Sequence, residues 1–279
     1  MSEKGNSEIS LLVIVVLYKN EINSAETIKS LIQCKDYFNH NLRIAVWDNS
    51  PQAQNEEKVQ LLEKQFENFY YYHTGKNLSL AKVYNRLIKE HENFVDFVNI
   101  WDQDSTFSID FYEKFELAIQ ENSICLYLPK VYQEKQLVSP GLFKVYRGQY
   151  LSRISTGINK SEGIIGIGSG IIVKVDVFND ILFDEDLQLY GIDTCFFMDY
   201  WKRYEHLYVM DYDLKHRMSA FEEESFEKKA FRFLDWKRSM LIIAKRTNFL
   251  ARGLIYLYVI GISVKSAIQF KNLSLVLKS

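Results

Sequence analysis

The chain has 279 residues, 47% of them apolar and 25% charged, with a formal net charge of −2. This is room for one large domain or a domain with an appendage, and three prolines and twelve glycines are too few for long disordered linkers. Three scattered cysteines (Cys34, Cys125, Cys195) have neither metal-ligand spacing nor a disulfide pattern and suggest a reduced, cytosolic protein; with a polar N-terminus, no signal peptide is expected.

Residues 11–18 (LLVIVVLY) form a continuous β-branched apolar run, which predicts a strand buried on both faces of a parallel sheet. Residues 24–34 follow with helical spacing, and Ser24 and Thr27 stand where a cap belongs. Residues 42–50 predict a second strand ending in Asp48 and Asn49, 56–66 a helix, and 69–74 a third strand. In 77–91, Leu80, Val83, Tyr84, Leu87 and Ile88 share one helical face, with Asn77 as a candidate cap. A fourth strand ends in "IWDQDS", residues 100–105. Beyond it the pattern is less regular: a strand in "ICLYLPKVY", a glycine-marked apolar stretch at 163–173, a loop turning into a helix over 187–204, and a strand within 206–219.

Strands alternating with helices mean right-handed βαβ units and a largely parallel sheet, whose ligands bind outside the carboxyl ends of the strands. Asp48–Asn49, Gly75–Asn77 and Asp102–Asp104 all fall at such ends. An acid pair alone is often a solvated strand end; three polar clusters converging on one edge predict a site.

These residues resemble glycosyltransferase family 2, inverting nucleotide-sugar transferases of GT-A fold, and within it the bacterial rhamnosyltransferase-like branch. The resemblance rests on an ordered set covering roughly residues 10–220: "VVLYKNE", "WDNS", "GKNLSLAKVYN", "WDQDS", "GSG" before "LFDEDLQLYGID", and "LKH". It implies an α/β GT-A catalytic domain over 1–222, with a donor half at about 10–105 and an acceptor half at about 106–222, followed by a helical segment at 223–279. It also implies a nucleotide-sugar donor and one divalent ion, Mg²⁺ or Mn²⁺, with the donor diphosphate. A hard cation on oxygen ligands neutralises the leaving diphosphate as a Lewis acid.

By the same resemblance Asp104 is the metal ligand, with Asp102 nearer the ribose. Asp48 meets the donor base, although Asp-Asn-Ser-Pro also makes an Asx turn. Asn77, Ala81 and Asn85 match the helix facing the nucleotide; Ser79 stands where relatives more often have glycine. Gly168, Ser169 and Gly170 let backbone approach donor or acceptor. Asp193 matches the catalytic base, although a carboxylate at a helix start is also a good N-terminal residue; Cys195 stands where relatives often have a second acid, and Asp199 is a poorer candidate. His216 matches a further metal ligand, against the alternative of a packed or surface histidine. Arg238 matches a diphosphate contact, against a solvated helix arginine.

From Lys228 onward there are 11 basic residues and one acid, Asp235, a charge of +10 following a body of −12. The longest apolar run, 253–264, has 12 residues and predicts a buried or interfacial helix rather than a membrane span. A basic, aromatic-rich helical tail suits peripheral contact with the anionic inner face of a membrane, where a lipid-diphosphate-linked glycan acceptor would lie. The alternatives are domain packing and a homodimer interface. Nucleic acid is not expected, because the body is acidic and no recognition motif is present. The expected activity is transfer of L-rhamnose from dTDP-rhamnose in bacterial surface polysaccharide synthesis. A UDP-hexose (galactose, galactofuranose, glucose) transferase comes next, and a sugar nucleotidyltransferase is disfavoured by the glycine-free loop after the first strand.

Overall fold

The structure, a computed structural model, describes residues 9–38, 42–120, 123–215 and 226–269. Its first half follows the apolar runs. Strands β1 (Leu11–Leu17), β2 (Leu42–Asp48), β3 (Asn68–His73) and β4 (Phe97–Asp102) are linked by helices α1 (Glu26–Phe38), α2 (Glu56–Glu63) and α3 (Leu80–His91). They lie parallel in the order β3-β2-β1-β4. Strand order therefore reverses at β1, which opens a crevice at the carboxyl ends of β1 and β4. Alternate residues of β1 feed two cores, Leu12 and Ile14 on one face and Leu11, Val13 and Val15 on the other. Both faces are covered, hence the absence of polar alternation in this strand.

The chain continues through α4 (Asp110–Ala118), β5 (Leu126–Gln133), β6 (Gln136–Ser139), β7 (Gly141–Lys144), β8 (Arg147–Tyr150), β9 (Gly157–Lys160), β10 (Ile164–Ile165), β11 (Ile171–Lys174), α5 (Ile192–Tyr200) and β12 (His206–Lys215). The main sheet extends as β4-β11-β5-β12-β9, with β6 beside β5. β11 enters antiparallel to β4, whereas β12 runs parallel to β5. A small second sheet, β10-β7-β8, stands apart from the first.

Two local expectations are corrected. Helix α1 starts at Glu26 and is not capped by Ser24, which lies in the preceding single turn, or by Thr27, which is fully buried and reaches across to the β4 exit. Helix α3 is capped by Ser79, whose hydroxyl accepts from the Lys82 N–H at 3.4 Å, and not by Asn77, which is exposed.

The tail forms two helices, α6 (Phe226–Lys245) and α7 (Phe249–Gln269). Helix α6 is tied to the body. Its Arg246-proximal end is held by Arg246 itself, which pairs with Asp184 at 2.8 Å and Asp199 at 3.0 Å. Helix α7 buries a stripe at Ala251, Ile255, Val259, Ser263 and Ala267, four residues apart, and presents Phe249, Leu250, Leu257, Ile260 and Ile268 outward. The 12-residue limit expected for the apolar run is also corrected: Phe249–Ile268 is 20 residues, long and apolar enough by length and composition to cross a membrane. Counting uninterrupted apolar residues stopped at Arg252, but that guanidinium turns back onto the carbonyls of Ala244, Lys245 and Thr247.

Candidate active site

The β4 exit loop is built to hold its acids in place. The Thr27 hydroxyl donates to the carbonyls of Asp102 and Ser105, and the Thr27 N–H to the carbonyl of Gln103. The Tyr18 N–H donates to Gln103 Oε1 at 2.9 Å, joining the β1 and β4 exits. Ser105 and Ser169 share a hydrogen bond at 2.6 Å, and Ser169 Oγ also accepts from the Asp102 N–H at 3.4 Å. In this frame Asp104 is exposed and Asp102 half-buried. Ser169, expected against donor, is itself buried and serves as a brace for the acid loop.

The β2 exit is a second brace. Asp48 is fully buried: Oδ1 accepts from the Ser50 N–H at 2.9 Å, and Oδ2 accepts from Gln54 and Tyr71, each at 2.8 Å. Burial alone would raise its pKa, but these donors hold it below the usual carboxylate range. The Asx turn is thus what this carboxylate makes, and both its oxygens are already engaged. Asn49 clamps the loop before α3, accepting from Leu78 N–H and donating to Leu78 O. Asn85, expected toward the nucleotide, gives its amide to Phe183: Nδ2 donates to the carbonyl at 2.9 Å and Oδ1 accepts from the N–H at 3.0 Å. Ala81 is buried in the first turn of α3 and Asn77 is exposed before it.

Across the cleft stands Asp193, in the first turn of α5. Gly191 precedes it at φ +81°, and a Cβ there would lie 2.9 Å from the Ser239 Cβ of α6. Asp235, the single acid of the basic tail, is buried and accepts the N–H groups of Leu189 (3.2 Å) and Tyr190 (2.8 Å). Helix α6 therefore fixes the turn that presents Asp193. The Asp193 Oδ2 accepts from the Gly168 N–H at 2.9 Å, and a Cβ on Gly168 would come within 3.0 Å of Oδ1. Burial, with the charge of Asp102 adding to it, pushes the Asp193 carboxyl up to about 7, against a smaller lowering by the Gly168 N–H.

Asp193 and Thr194 line a cavity of about 660 Å³, walled on its other side by Arg147, Gly148, Gln149 and Tyr150 of β8. Sequence reasoning passed over this wall, because a four-residue exposed strand has no apolar pattern. It did register the signal for Asp235, an isolated acid in a basic tail, but gave it no role. Arg238 is exposed on α6 and outside the cavity lining. Asp199 is paired with Lys202 and Arg246. Burial pushes the Cys195 thiol up to about 12, so it is no substitute for an acid. His216 lies outside the described residues.

Among the described residues no group of three or more His, Cys, Asp or Glu could by itself enclose a metal ion. The donor set at the β4 exit nevertheless fits Mg²⁺ or Mn²⁺: such ions keep waters and bind one or two carboxylates together with substrate phosphates. Asp102 and Asp104 supply that number, on a loop braced by Thr27 and Ser169.

The fold has solved counterparts. The chain superposes on GalNAc-T7 with UDP, GalNAc and Mn²⁺ (TM-score 0.59, 12% identity, 85% of this chain and 48% of that one). It also superposes on S. aureus TarS 1–349 with UDP-GlcNAc (0.54, 17%, 85% and 66%). A third match is the mannosyltransferase PcManGT from Pyrobaculum calidifontis with GDP-Man and Mn²⁺ (0.56, 13%, 87% and 66%). The chain spans about half to two thirds of the length of these proteins. They are glycosyltransferases of GT-A fold, and this chain has that fold. No family model matches the chain, and no curated protein matches its sequence.

Proposed function

We propose that the chain is a metal-dependent inverting glycosyltransferase acting on a glycan acceptor in bacterial surface polysaccharide synthesis. L-Rhamnose from dTDP-rhamnose is the first donor to test and a UDP-hexose the second. The observation that carries the reading is the placement of Asp193: a carboxyl at about 7, in a cavity, electrostatically coupled to the acid of the β4 exit. A general base works best with a pKa near the operating pH. The acceptor hydroxyl would attack the sugar C1 on the side opposite the diphosphate. Its proton passes to an Asp193 oxygen, and the C1–O bond breaks with its electron pair leaving on the diphosphate. Asp104, with Asp102 beside it, would hold Mg²⁺ or Mn²⁺, which supplies charge to the departing diphosphate. Asp48, Asn85 and Ser169 act one step back, keeping the loops that carry these groups in register.

The exposed side of α7 supports peripheral contact with the inner face of the cell membrane, where a lipid-diphosphate-linked glycan would be presented. Leu250, Leu257, Ile260 and Ile268 form the apolar side, with Lys245 and Lys265 exposed near it. Of the tail's aromatics, Phe249 and Tyr256 are exposed, while Trp236 and Tyr258 pack against each other at 6.0 Å.

The test is nucleotide release from a panel of dTDP-, UDP- and GDP-sugars with Mg²⁺ or Mn²⁺. Consumption of a donor supports the reading, and the donor consumed names the sugar. No turnover of any member overturns it.

A further inference from the structure

Arg147 is the one cation in the lining of the Asp193 cavity. It opens β8, opposite Lys144 of β7, and its guanidinium lies 5.6 Å from the centre of the Tyr146 ring. Tyr146 in turn packs on Tyr258 of α7 at 5.2 Å, and Tyr258 on Trp236 of α6. The tail thus anchors the hairpin that carries Arg147. Among the described residues the guanidinium has no ion-pair partner, and the single carboxyl in the lining, Asp193, is bonded to Gly168 instead. Arg147 is exposed at the mouth of this open cavity, and an unpaired fork of N–H donors in such a place is complementary to an anion.

We propose that Arg147 is a specificity-determining residue that binds a phosphate group on the acceptor while Asp193 takes the proton of its hydroxyl. This rests on the transferase reading above and deepens it, by giving the acceptor phosphate a contact residue. Phosphate is favoured over a carboxylate because the same hairpin joins, through Tyr146 and Tyr258, the helix whose outer side is apolar. The cavity volume suits a sugar with one such group, within the usual range for ligand sites.

The experiment is calorimetric titration of the full chain in EDTA, which removes metal-assisted diphosphate binding. The probes are geranyl diphosphate, inorganic pyrophosphate and geraniol. Arg147→Ala should weaken geranyl diphosphate binding about tenfold or more, as expected for loss of a charge-assisted pair. Arg147→Lys should fall between, and Lys144→Ala, on the same hairpin but outside the cavity lining, should bind as wild type. Geraniol should bind to none of them. Pyrophosphate binding with the same Arg147 dependence would assign the site to the phosphate group itself; binding of the geranyl compound alone would assign it to a lipid phosphate. Unchanged affinity in Arg147→Ala, or no binding of either anion by the wild type, overturns the proposal. Acceptor-independent donor hydrolysis separates the two readings: wild type and Lys144→Ala should both show it, and its absence in the wild type would count against the transferase reading instead.

Discussion

A carboxyl held at about 7 works against its own fold. The unfolded chain gives an aspartate near 3.9, so between about pH 4 and 7 the native state binds the extra proton. Stability contributed at this position is therefore intact below about pH 4 and declines as pH rises through 7. Asp193→Asn keeps the acceptor for the Gly168 N–H and removes the titration. In urea denaturation the variant should gain little on wild type at pH 5 and about 2 kcal/mol at pH 8, less than the full linkage value because the residue is only half-buried. A gain independent of pH would show that Asp193 does not titrate there. The same variant should transfer roughly 10²-fold more slowly, and in the wild type kcat/KM should rise with pH through about 7. Gly168→Ala puts a methyl 3.0 Å from Asp193 Oδ1, so kcat for transfer should fall about tenfold while donor binding holds; an unchanged kcat would mean that the carboxylate has room to yield.

At the scale of elements, the four opening strands were legible because burial on both faces writes itself as unbroken β-branched runs. Strands β6 to β10 were not, since none exceeds four residues and β8 is exposed along its whole length. The acids at element ends, Asp102, Asp104 and Asp193, could be picked out by position. The jobs of Asn85 and Ser169 could not, because their partners lie 98 and 64 residues away and depend on how loops meet. The hold of α6 on the Asp193 turn was equally hidden, and it makes a direct prediction. Asp235→Ala leaves the N–H groups of Leu189 and Tyr190 without their acceptor, which should cost about 1 kcal/mol in thermal or urea unfolding and slow transfer as well. Asp235→Asn retains an acceptor oxygen and should recover most of both losses. Equal stability of Asp235→Ala and wild type would contradict the role given to this contact.

For the whole molecule, an acidic GT-A body carries a basic helical pair whose inner side braces the Asp193 turn and whose outer side is apolar. Co-sedimentation with anionic vesicles should exceed that with neutral vesicles and weaken with salt, and Leu257→Glu with Ile260→Glu should abolish it. Equal binding to both lipids would argue against electrostatic attachment. The central claim is a division of labour across the cleft, metal on the Asp104 side and base on the Asp193 side. It is tested most directly by measuring, for Asp104→Ala and Asp193→Asn in parallel, Mn²⁺-dependent nucleotide diphosphate binding and sugar transfer. Asp104→Ala should lose both, while Asp193→Asn should keep the binding and lose transfer. Full transfer by Asp104→Ala, by Asp193→Asn or by the wild type in EDTA would contradict it.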